Sequence, residues 1–172
     1  MRDLFQQQTP RAPAVLPPSA PTARINVVGV IDLLGRAKAN GLKYPKLRLQ
    51  LPDGTKVQVA IAGERSRTPG FVMLTDGGKY PDNLYFGRIS PAGQLDIGRD
   101  GHTRADALVQ LLVRLSFNPA KVAADYGHLT GHCCFCRLQL NDARSTTVGY
   151  GPICAEKYAL PWGAHAIPDG EE

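Results

Sequence analysis

The chain has 172 residues, a hydrophobic fraction of 43% and a formal net charge of +5, which is enough apolar material for one ordinary folded core. No apolar stretch approaches the roughly 20 residues that cross a bilayer, and the N-terminus lacks the continuous hydrophobic segment of a secretory signal. We therefore expect a cytoplasmic protein with no membrane partner.

Composition divides the chain into four parts. Residues 1–23 are rich in glutamine and contain five prolines, which predicts an extended, disordered arm. Residues 24–127 carry periodic apolar patterns and are predicted to form the main domain. Residues 128–165 hold all the cysteines and are predicted to bind zinc, and residues 166–172 form an acidic tail.

The pattern of residues 25–98 predicts a helix followed by a small sheet. A helical pattern runs to Asn40 and ends at Gly41, a residue type that commonly follows a helix C-terminus. Alternating apolar residues on either side of Pro-Asp-Gly predict a hairpin, and further short strands follow at regular spacing. We expect an α+β fold with a mostly antiparallel sheet of four to five strands covered by helices. The strand segments are "LKYPKLRLQL", "TKVQVAIA", "FVMLT", "LYFGRIS" and "GQLDIG".

Two helices are predicted after the sheet. The segment "TRADALVQLLVRLSF" places leucines at helical spacing, with Thr103 and Asp106 as a capping pair. In "NPAKVAADYG", Asn118 is the expected N-cap and Gly127 the expected residue just past the helix.

A basic segment lies between Leu33 and Pro52, where there is no acidic residue to balance the cations. Such a segment suits contacts to phosphate or to an acidic partner. The alternative is a solvated helix end followed by an edge strand that lysines protect from aggregation. The cations are Arg36, Lys38, Lys43, Lys46 and Arg48.

All four cysteines lie in "GHCCFCRLQLNDARSTTVGYGPIC", residues 131–154. In a reducing compartment such a cluster indicates metal ligands rather than disulfides. Cys133 and Cys136 have Cys-x-x-Cys spacing, and Cys154 lies in the first turn of a predicted helix, where a thiolate is favoured. A knuckle, a hairpin and a helix that offers a ligand form the layout of a treble-clef zinc finger, so we predict a structural Zn²⁺ site.

The fourth ligand stays open. A complete treble clef takes a second ligand from the helix, but Lys157 and Tyr158 occupy those places and neither suits zinc. Cys134 and His128 are equally ranked candidates. Weaker ones are His132, Asp142 and His165. Water as the fourth ligand would create a catalytic geometry, but no catalytic signature accompanies the cysteines, so we expect a protein that is not an enzyme.

Aromatic and basic residues surround the cysteines. Tyr150 and Trp162, with Arg137 and Arg144, would form a face that stacks on bases and contacts phosphate. The alternative for both aromatic residues is packing of the small module against its neighbour.

A family resemblance adds to these observations. The segment "YGHLTGHCCFCRLQLNDARSTTVGYGPICAEKYALPWG", Tyr126 to Gly163, resembles the C-terminal signature of phage and prophage proteins assigned to a domain of unknown function with a zinc knuckle. The resemblance implies Cys133, Cys136 and Cys154 as ligands and a DNA-processing setting. Where that family commonly has glycine after the knuckle, this chain has Arg137.

Three functional hypotheses follow, the last being a zinc-dependent enzyme with an open position on the metal. The first is a phage-type accessory protein that binds nucleic acid, or a complex acting on it, through a zinc-stabilised module. The second is a protein-interaction module that docks on a host or phage protein and modulates it.

Overall fold

The computed structural model describes residues 25–163, so the predicted arm (1–23), His165 and the predicted tail (166–172) lie outside the described residues. A five-stranded antiparallel sheet has the order β1-β2-β3-β4-β5, which confirms the predicted α+β class. Its strands are β1 (Lys46–Gln50), β2 (Lys56–Ile61), β3 (Val72–Thr75), β4 (Tyr85–Ile89) and β5 (Leu95–Ile97). The helices are α1 (Val28–Ala39), α2 (Ala105–Phe117), α3 (Pro119–Thr130), α4 (Ala143–Val148) and α5 (Pro152–Tyr158), with a 3-10 helix at Arg99–Arg104.

The alternation seen in the sequence sets the two faces of the sheet. Leu47 lies opposite Val59, and Val59 lies opposite Leu74, so these buried side chains form a continuous apolar layer. Side chains between them on the same strands, such as Arg48 and Gln58, point to the other face and are partly exposed. The apolar layer packs in one core with the buried faces of α1 and α2.

The helices follow the predicted positions more closely than the predicted capping. α1 ends before Gly41, as expected, and Gly41 has a φ of +90°. The predicted capping pair of Thr103 and Asp106 is wrong, because the 3-10 helix runs directly into α2 and no side chain caps α2 at Arg104. Within residues 25–163, no helix is both long and apolar enough to cross a membrane.

α3 continues past its predicted end. Asn118 caps it as expected, since its side chain accepts a hydrogen bond from the Lys121 N–H. Gly127, however, lies inside the helix, and Gly131 with a φ of +69° ends it. The boundary placed between residues 127 and 128 therefore falls within α3, and the buried residues on both sides of it belong to one core.

The predicted hairpin between Cys136 and Cys154 is wrong. Asp142, expected at a hairpin tip, instead caps α4 by accepting hydrogen bonds from the N–H groups of Arg144 and Ser145. The only antiparallel bridge found in this part of the described chain joins His132 to Gln139. The Cys-x-x-Cys turn therefore forms the tip of a very short ladder, and a helix occupies the rest of the interval.

Candidate metal centre and basic cleft

Three cysteines from two elements meet at one point. Cys133 and Cys136 lie in the turn at residues 133–137, which we call the knuckle, and Cys154 lies in the first turn of α5. Their sulfur atoms all lie within 4.8 Å of one another. Hydrogen bonds from Arg137 N to Cys133 O (2.8 Å) and from Cys133 N to Leu138 O (3.0 Å) close the turn.

Backbone amides point at the sulfur atoms. The Cys154 thiol donates to the Cys133 sulfur and lowers the pKa of Cys133 to about 5, and the N–H groups of Cys136, Gly151 and Phe135 act in the same direction. The same hydrogen bond raises the pKa of Cys154. A site that stabilises a thiolate in this way is prepared for a cation.

The donor set fits a thiophilic metal. Sulfur atoms on a tetrahedral zinc lie roughly 3.8 Å apart, given Zn–S bonds of about 2.3 Å, and the three cysteine sulfurs already lie within 4.8 Å. Cys133 and Cys154 are buried while Cys136 is exposed. An ion held by these three cysteines would therefore lie at the surface of residues 131–163, the part of the chain after α3 that we call the cysteine module.

Neither favoured fourth ligand joins the three cysteines in the described part of the chain. Cys134 is only 1% exposed within the hydrophobic core, and burial raises the pKa of its thiol well above the usual value. His128 is exposed, and its Nε2 lies 2.8 Å from the carbonyl oxygen of Thr147. Neither side chain therefore places a ligand atom in the group formed by the three cysteine sulfurs.

The two weaker candidates within residues 25–163 also lie outside the cluster. The Nδ1 atom of His132 lies 2.7 Å from the Thr130 carbonyl oxygen, and the Asp142 carboxylate caps α4. Among the described residues, the site thus offers three thiol ligands.

Arg137 occupies a backbone position that favours glycine. Its φ is +68°, in the left-handed region where a side chain is disfavoured. The knuckle closes with the expected hydrogen bonds even so, as Cys133 O accepts from Arg137 N. Glycine adopts this conformation without strain, so arginine at this place costs stability.

Replacing Arg137 with glycine is expected to raise the free energy of unfolding by about 1 kcal/mol. The left-handed conformation costs a residue with a side chain roughly 1–2 kcal/mol, and this strain would be relieved. The larger entropy that glycine loses on folding offsets part of the gain. Thermal unfolding of the metal-loaded protein measures the change. Arg137→Ala removes the charge but keeps the Cβ, so it serves as the control. An equal gain in both variants would contradict the backbone explanation.

Three aromatic rings form the interior of the cysteine module. Phe135 lies 4.0 Å from Tyr158 and 6.4 Å from Tyr150, measured between ring centroids. Tyr150 is 1% exposed, and its hydroxyl donates to the carbonyl oxygen of Pro161 at 2.7 Å. Tyr150 therefore packs rather than presenting a face to a base, contrary to the contact role predicted for it.

The rest of the predicted aromatic face is dispersed. Trp162 is half-buried against the core, and the guanidinium carbon of Arg144 lies 6.0 Å from its ring centroid. Arg137 is exposed on the knuckle. The packing alternative thus describes Tyr150, while Trp162 keeps a partly accessible ring beside one cation.

The module attaches to the free edge of the sheet at β1. The Tyr158 hydroxyl accepts from the Lys46 N–H at 3.1 Å and donates to the Lys46 carbonyl oxygen at 2.9 Å. The Arg48 N–H donates to the Cys134 carbonyl oxygen at 2.8 Å. Edge groups that would otherwise be open to another chain are thereby occupied. The spacing of Phe135, Tyr150 and Tyr158 could have suggested that the three rings pack together. The hydrogen bonds from Tyr158 to β1, in contrast, cannot be predicted from any pattern in the sequence.

α5 is also tied to α1. Lys157 Nζ donates to the Asn40 carbonyl oxygen at 2.7 Å, and Asn40 Nδ2 donates to the Lys157 carbonyl oxygen at 2.9 Å. The segment at residues 40–45, which we call the α1–β1 loop, is therefore held by α5 at Asn40 and, just beyond its other end, at Lys46. The helix that presents Cys154 thus braces the loop that carries part of the basic segment.

The predicted basic segment does not form one surface. Arg36 lies beside a groove formed with Gly29 and Ser116. Arg48 lies on the partly exposed face of the sheet, where its Nε donates to Gln58 Oε1 at 3.1 Å. Lys38 and Lys43, in contrast, line the same cleft.

This cleft, which we call the basic cleft, has a volume of 690 Å³ and lies between the α1–β1 loop and the start of the β2–β3 loop. Arg65, in the β2–β3 loop, contributes a third cation. Tyr44 was missed, although a tyrosine between lysine and proline in a connecting loop is a usable signal. The side chains that line the basic cleft include Lys38, Lys43, Tyr44, Glu64 and Arg65.

One comparison with known proteins matches the part of the chain that holds the three cysteines. Residues 123–159 match a family described as a family of unknown function (DUF6011). The matched range contains the knuckle and Cys154, and it begins inside α3 rather than at the knuckle. Neither the curated proteins nor the solved structures gave a match. The chain is thus similar to this family over residues 123–159.

Proposed function

We propose that the chain is a zinc-binding accessory protein that binds nucleic acid without catalysing a reaction, and that the metal keeps its basic surface in shape. The position of α5 carries the proposal. Its first turn supplies Cys154, and its last turn bonds to Asn40 and Lys46 on either side of the loop that bears Lys43.

Zinc is the metal favoured by the donor set. Thiolate ligands in tetrahedral arrangement favour zinc over hard cations such as magnesium and calcium. Zinc undergoes no redox reaction and can serve as a purely structural link. Cys133, Cys136 and Cys154 would hold the ion and so link the knuckle to α5, two elements that also meet where Phe135 packs on Tyr158. Residues of the chain, not the ion, would make the contacts to nucleic acid.

Charge supports nucleic acid as the partner. The segment between Leu33 and Pro52 contains five cations and no acid, and the formal net charge of the whole chain is +5. The structure gathers two of these cations, Lys38 and Lys43, beside Arg65. Local concentration of cations raises both the affinity and the association rate for a phosphate backbone.

Zinc-loaded protein is expected to bind DNA with an affinity that falls as salt rises, because binding releases counterions from the phosphates. Removing the metal with a chelator is expected to weaken binding, because α5 would no longer be fixed beside the basic loop. Fluorescence anisotropy with labelled DNA at several salt concentrations measures both effects, and restored binding after zinc is added back is the control for chelator damage.

Two results would contradict the proposal. Affinity that is the same at low and moderate salt would exclude an electrostatic contact to phosphate. Absence of DNA and RNA binding by the metal-loaded protein, together with a lysate complex that survives nuclease treatment, would favour the protein-interaction hypothesis.

A further inference from the structure

We infer that the basic cleft is a binding site for single-stranded nucleic acid, with Tyr44 stacking on a base and Lys38, Lys43 and Arg65 contacting the phosphates. The inference rests on the proposed function and names the site and the class of nucleic acid. It differs from the sequence-based expectation, which placed the aromatic contacts at Tyr150 and Trp162.

The cations of the cleft come from three separate elements. Lys38 lies in the last turn of α1, Lys43 in the α1–β1 loop and Arg65 in the β2–β3 loop. Their convergence on one concave surface is a property of the fold, since Lys43 and Arg65 are far apart in the sequence. Three cations along a cleft can track a strand that carries one charge on each phosphate.

One acid lies among these cations. Glu64 Oε1 is 3.6 Å from Lys38 Nζ, and the two side chains are 89% and 51% exposed, respectively. Ion pairs this exposed contribute little to stability, because water competes for both charges. A phosphate can therefore take the place of Glu64 beside Lys38 at small cost, and Glu64 itself opposes an incoming anion.

Tyr44 gives the cleft an exposed aromatic ring. The side chain of Tyr44 is 66% exposed, and Lys43 Nζ lies 5.4 Å from its ring centroid. A ring that is open to solvent beside a cation offers a stacking surface for an unpaired base, and stacking of this kind tolerates any base because all bases have a π-face. The partly buried Leu42 lines the same cleft.

The shape of the cleft favours a single strand over a duplex. Proteins that read duplex DNA place a protruding helix or ribbon into a groove of the DNA. Here the cations and the ring line a concave space of 690 Å³ between two loops, a size typical of sites for small ligands. Such a space suits an unpaired nucleotide and its flanking phosphates.

The chain supplies a matched control for the ring. The tripeptide Lys-Tyr-Pro at residues 43–45 recurs at residues 79–81, and Tyr80 is 91% exposed in the β3–β4 loop. In this antiparallel sheet the β3–β4 loop lies at the opposite end from the α1–β1 and β2–β3 loops. The same substitutions can therefore be made in the same local sequence away from the cleft.

The experiment uses the full-length, zinc-loaded protein, a labelled oligothymidylate of about 15 nucleotides and a duplex of equal length, with anisotropy read at about 50 and 200 mM salt. Tyr44→Leu is expected to weaken single-strand binding between about 5-fold and 150-fold, the effect of one lost base stack. Lys43→Gln combined with Arg65→Gln is expected to reduce the slope of log K against log salt by about 1.4, or about 0.7 for each charge. Glu64→Gln is expected to tighten binding, and Tyr80→Leu and Lys79→Gln to leave it unchanged.

The possible failures are distinguishable. If the unmodified protein binds the single strand and the Tyr44 and Lys43/Arg65 variants bind equally well, the cleft is not the site, while the proposed function stands. If the duplex binds more tightly than the single strand, the assigned class of nucleic acid is wrong. If the unmodified protein binds neither, the proposed function and this inference both fall.

Discussion

Replacing Cys154 with serine is expected to lower the affinity for zinc more than about 100-fold, because even partners that only orient a metal ligand contribute about 10- to 100-fold. The sulfur of Cys154 lies within 4.8 Å of those of Cys133 and Cys136 and is the only thiol that α5 contributes. Its loss leaves both remaining thiols on the knuckle, so the metal no longer joins the two elements. Metal analysis after dialysis measures the zinc content.

The same variant is expected to unfold at a lower temperature when zinc is present. Zinc at 100 times its dissociation constant stabilises a folded protein by about 2.7 kcal/mol. A chain of this size changes its midpoint by about 2–4 °C for each kcal/mol, so the expected decrease is about 5–11 °C. The two proteins are expected to differ much less in excess chelator, where neither holds metal.

Cys134→Ala is the matched control for Cys154→Ser. Cys134 is 1% exposed in the core and does not join the cluster of sulfur atoms, so its removal is expected to leave the zinc content unchanged. X-ray absorption of the zinc-loaded protein is expected to show three sulfur ligands. Full zinc content in Cys154→Ser, or loss of zinc in Cys134→Ala, would overturn the ligand assignment.

Local patterns in the sequence predicted the sheet and the grouping of Cys133, Cys136 and Cys154 for clear physical reasons. Alternation such as that of Leu47 and Leu49 is imposed by the period of a strand, and all five strands appear where it indicated them. The Cys-x-x-Cys spacing constrains a turn, and Pro152 favours a helix start. Both are properties of a few neighbouring residues, which is why Cys133, Cys136 and Cys154 could be grouped before any fold was known.

The wrong predictions concern features with two equally good local explanations. Asp142 suits a hairpin turn and a helix N-cap, and the Asp142-to-Gly149 interval fits α4 as well as it fits a loop. Gly127 and Gly131 each suit a helix end, and only packing decides between them. Tyr150 could be exposed or buried, because its partner Phe135 and its acceptor Pro161 are defined by the tertiary fold.

The basic cleft could not be predicted because its parts are distant in the sequence. Lys43 and Tyr44 precede β1, whereas Glu64 and Arg65 follow β2, and only the pairing of Lys46 with Ala60 brings the two loops together. Reading the basic segment as one continuous surface also overlooked that Arg36 and Arg48 point elsewhere.

Gly127 lies at a close contact between α3 and the backbone at Gly149. A Cβ atom built on Gly127 would lie 2.0 Å from the Gly149 carbonyl oxygen and 2.5 Å from its Cα. In return, a Cβ on Gly149 would lie 2.4 Å from the Cα of Ala124. Because the atoms in the way are backbone on both sides, no side chain can rotate to make room.

Gly127→Ala is therefore expected to lower the free energy of unfolding by about 2 kcal/mol. Overpacking of a core costs about 1–3 kcal/mol, and occasionally more. The backbone clash at Gly127 places its cost at the upper end of that range. Replacing a glycine inside a helix with alanine raises the free energy of unfolding by about 1 kcal/mol, which offsets only part of this cost. The midpoint of thermal unfolding is expected to fall by about 4–8 °C, and zinc is expected to bind more weakly, because α4 must move away from α3.

Gly35→Ala separates the packing effect from helix propensity. Gly35 also lies inside a helix, α1, but a Cβ built there meets nothing within 4 Å. With the propensity gain unopposed, this variant is expected to be more stable by about 0.4–1 kcal/mol. Opposite signs for the same substitution in two helices would show that the close approach of Gly127 to Gly149 holds the cysteine module on α3. If Gly127→Ala makes the protein more stable, Gly127 and Gly149 are not in close contact, and the packing explanation is wrong.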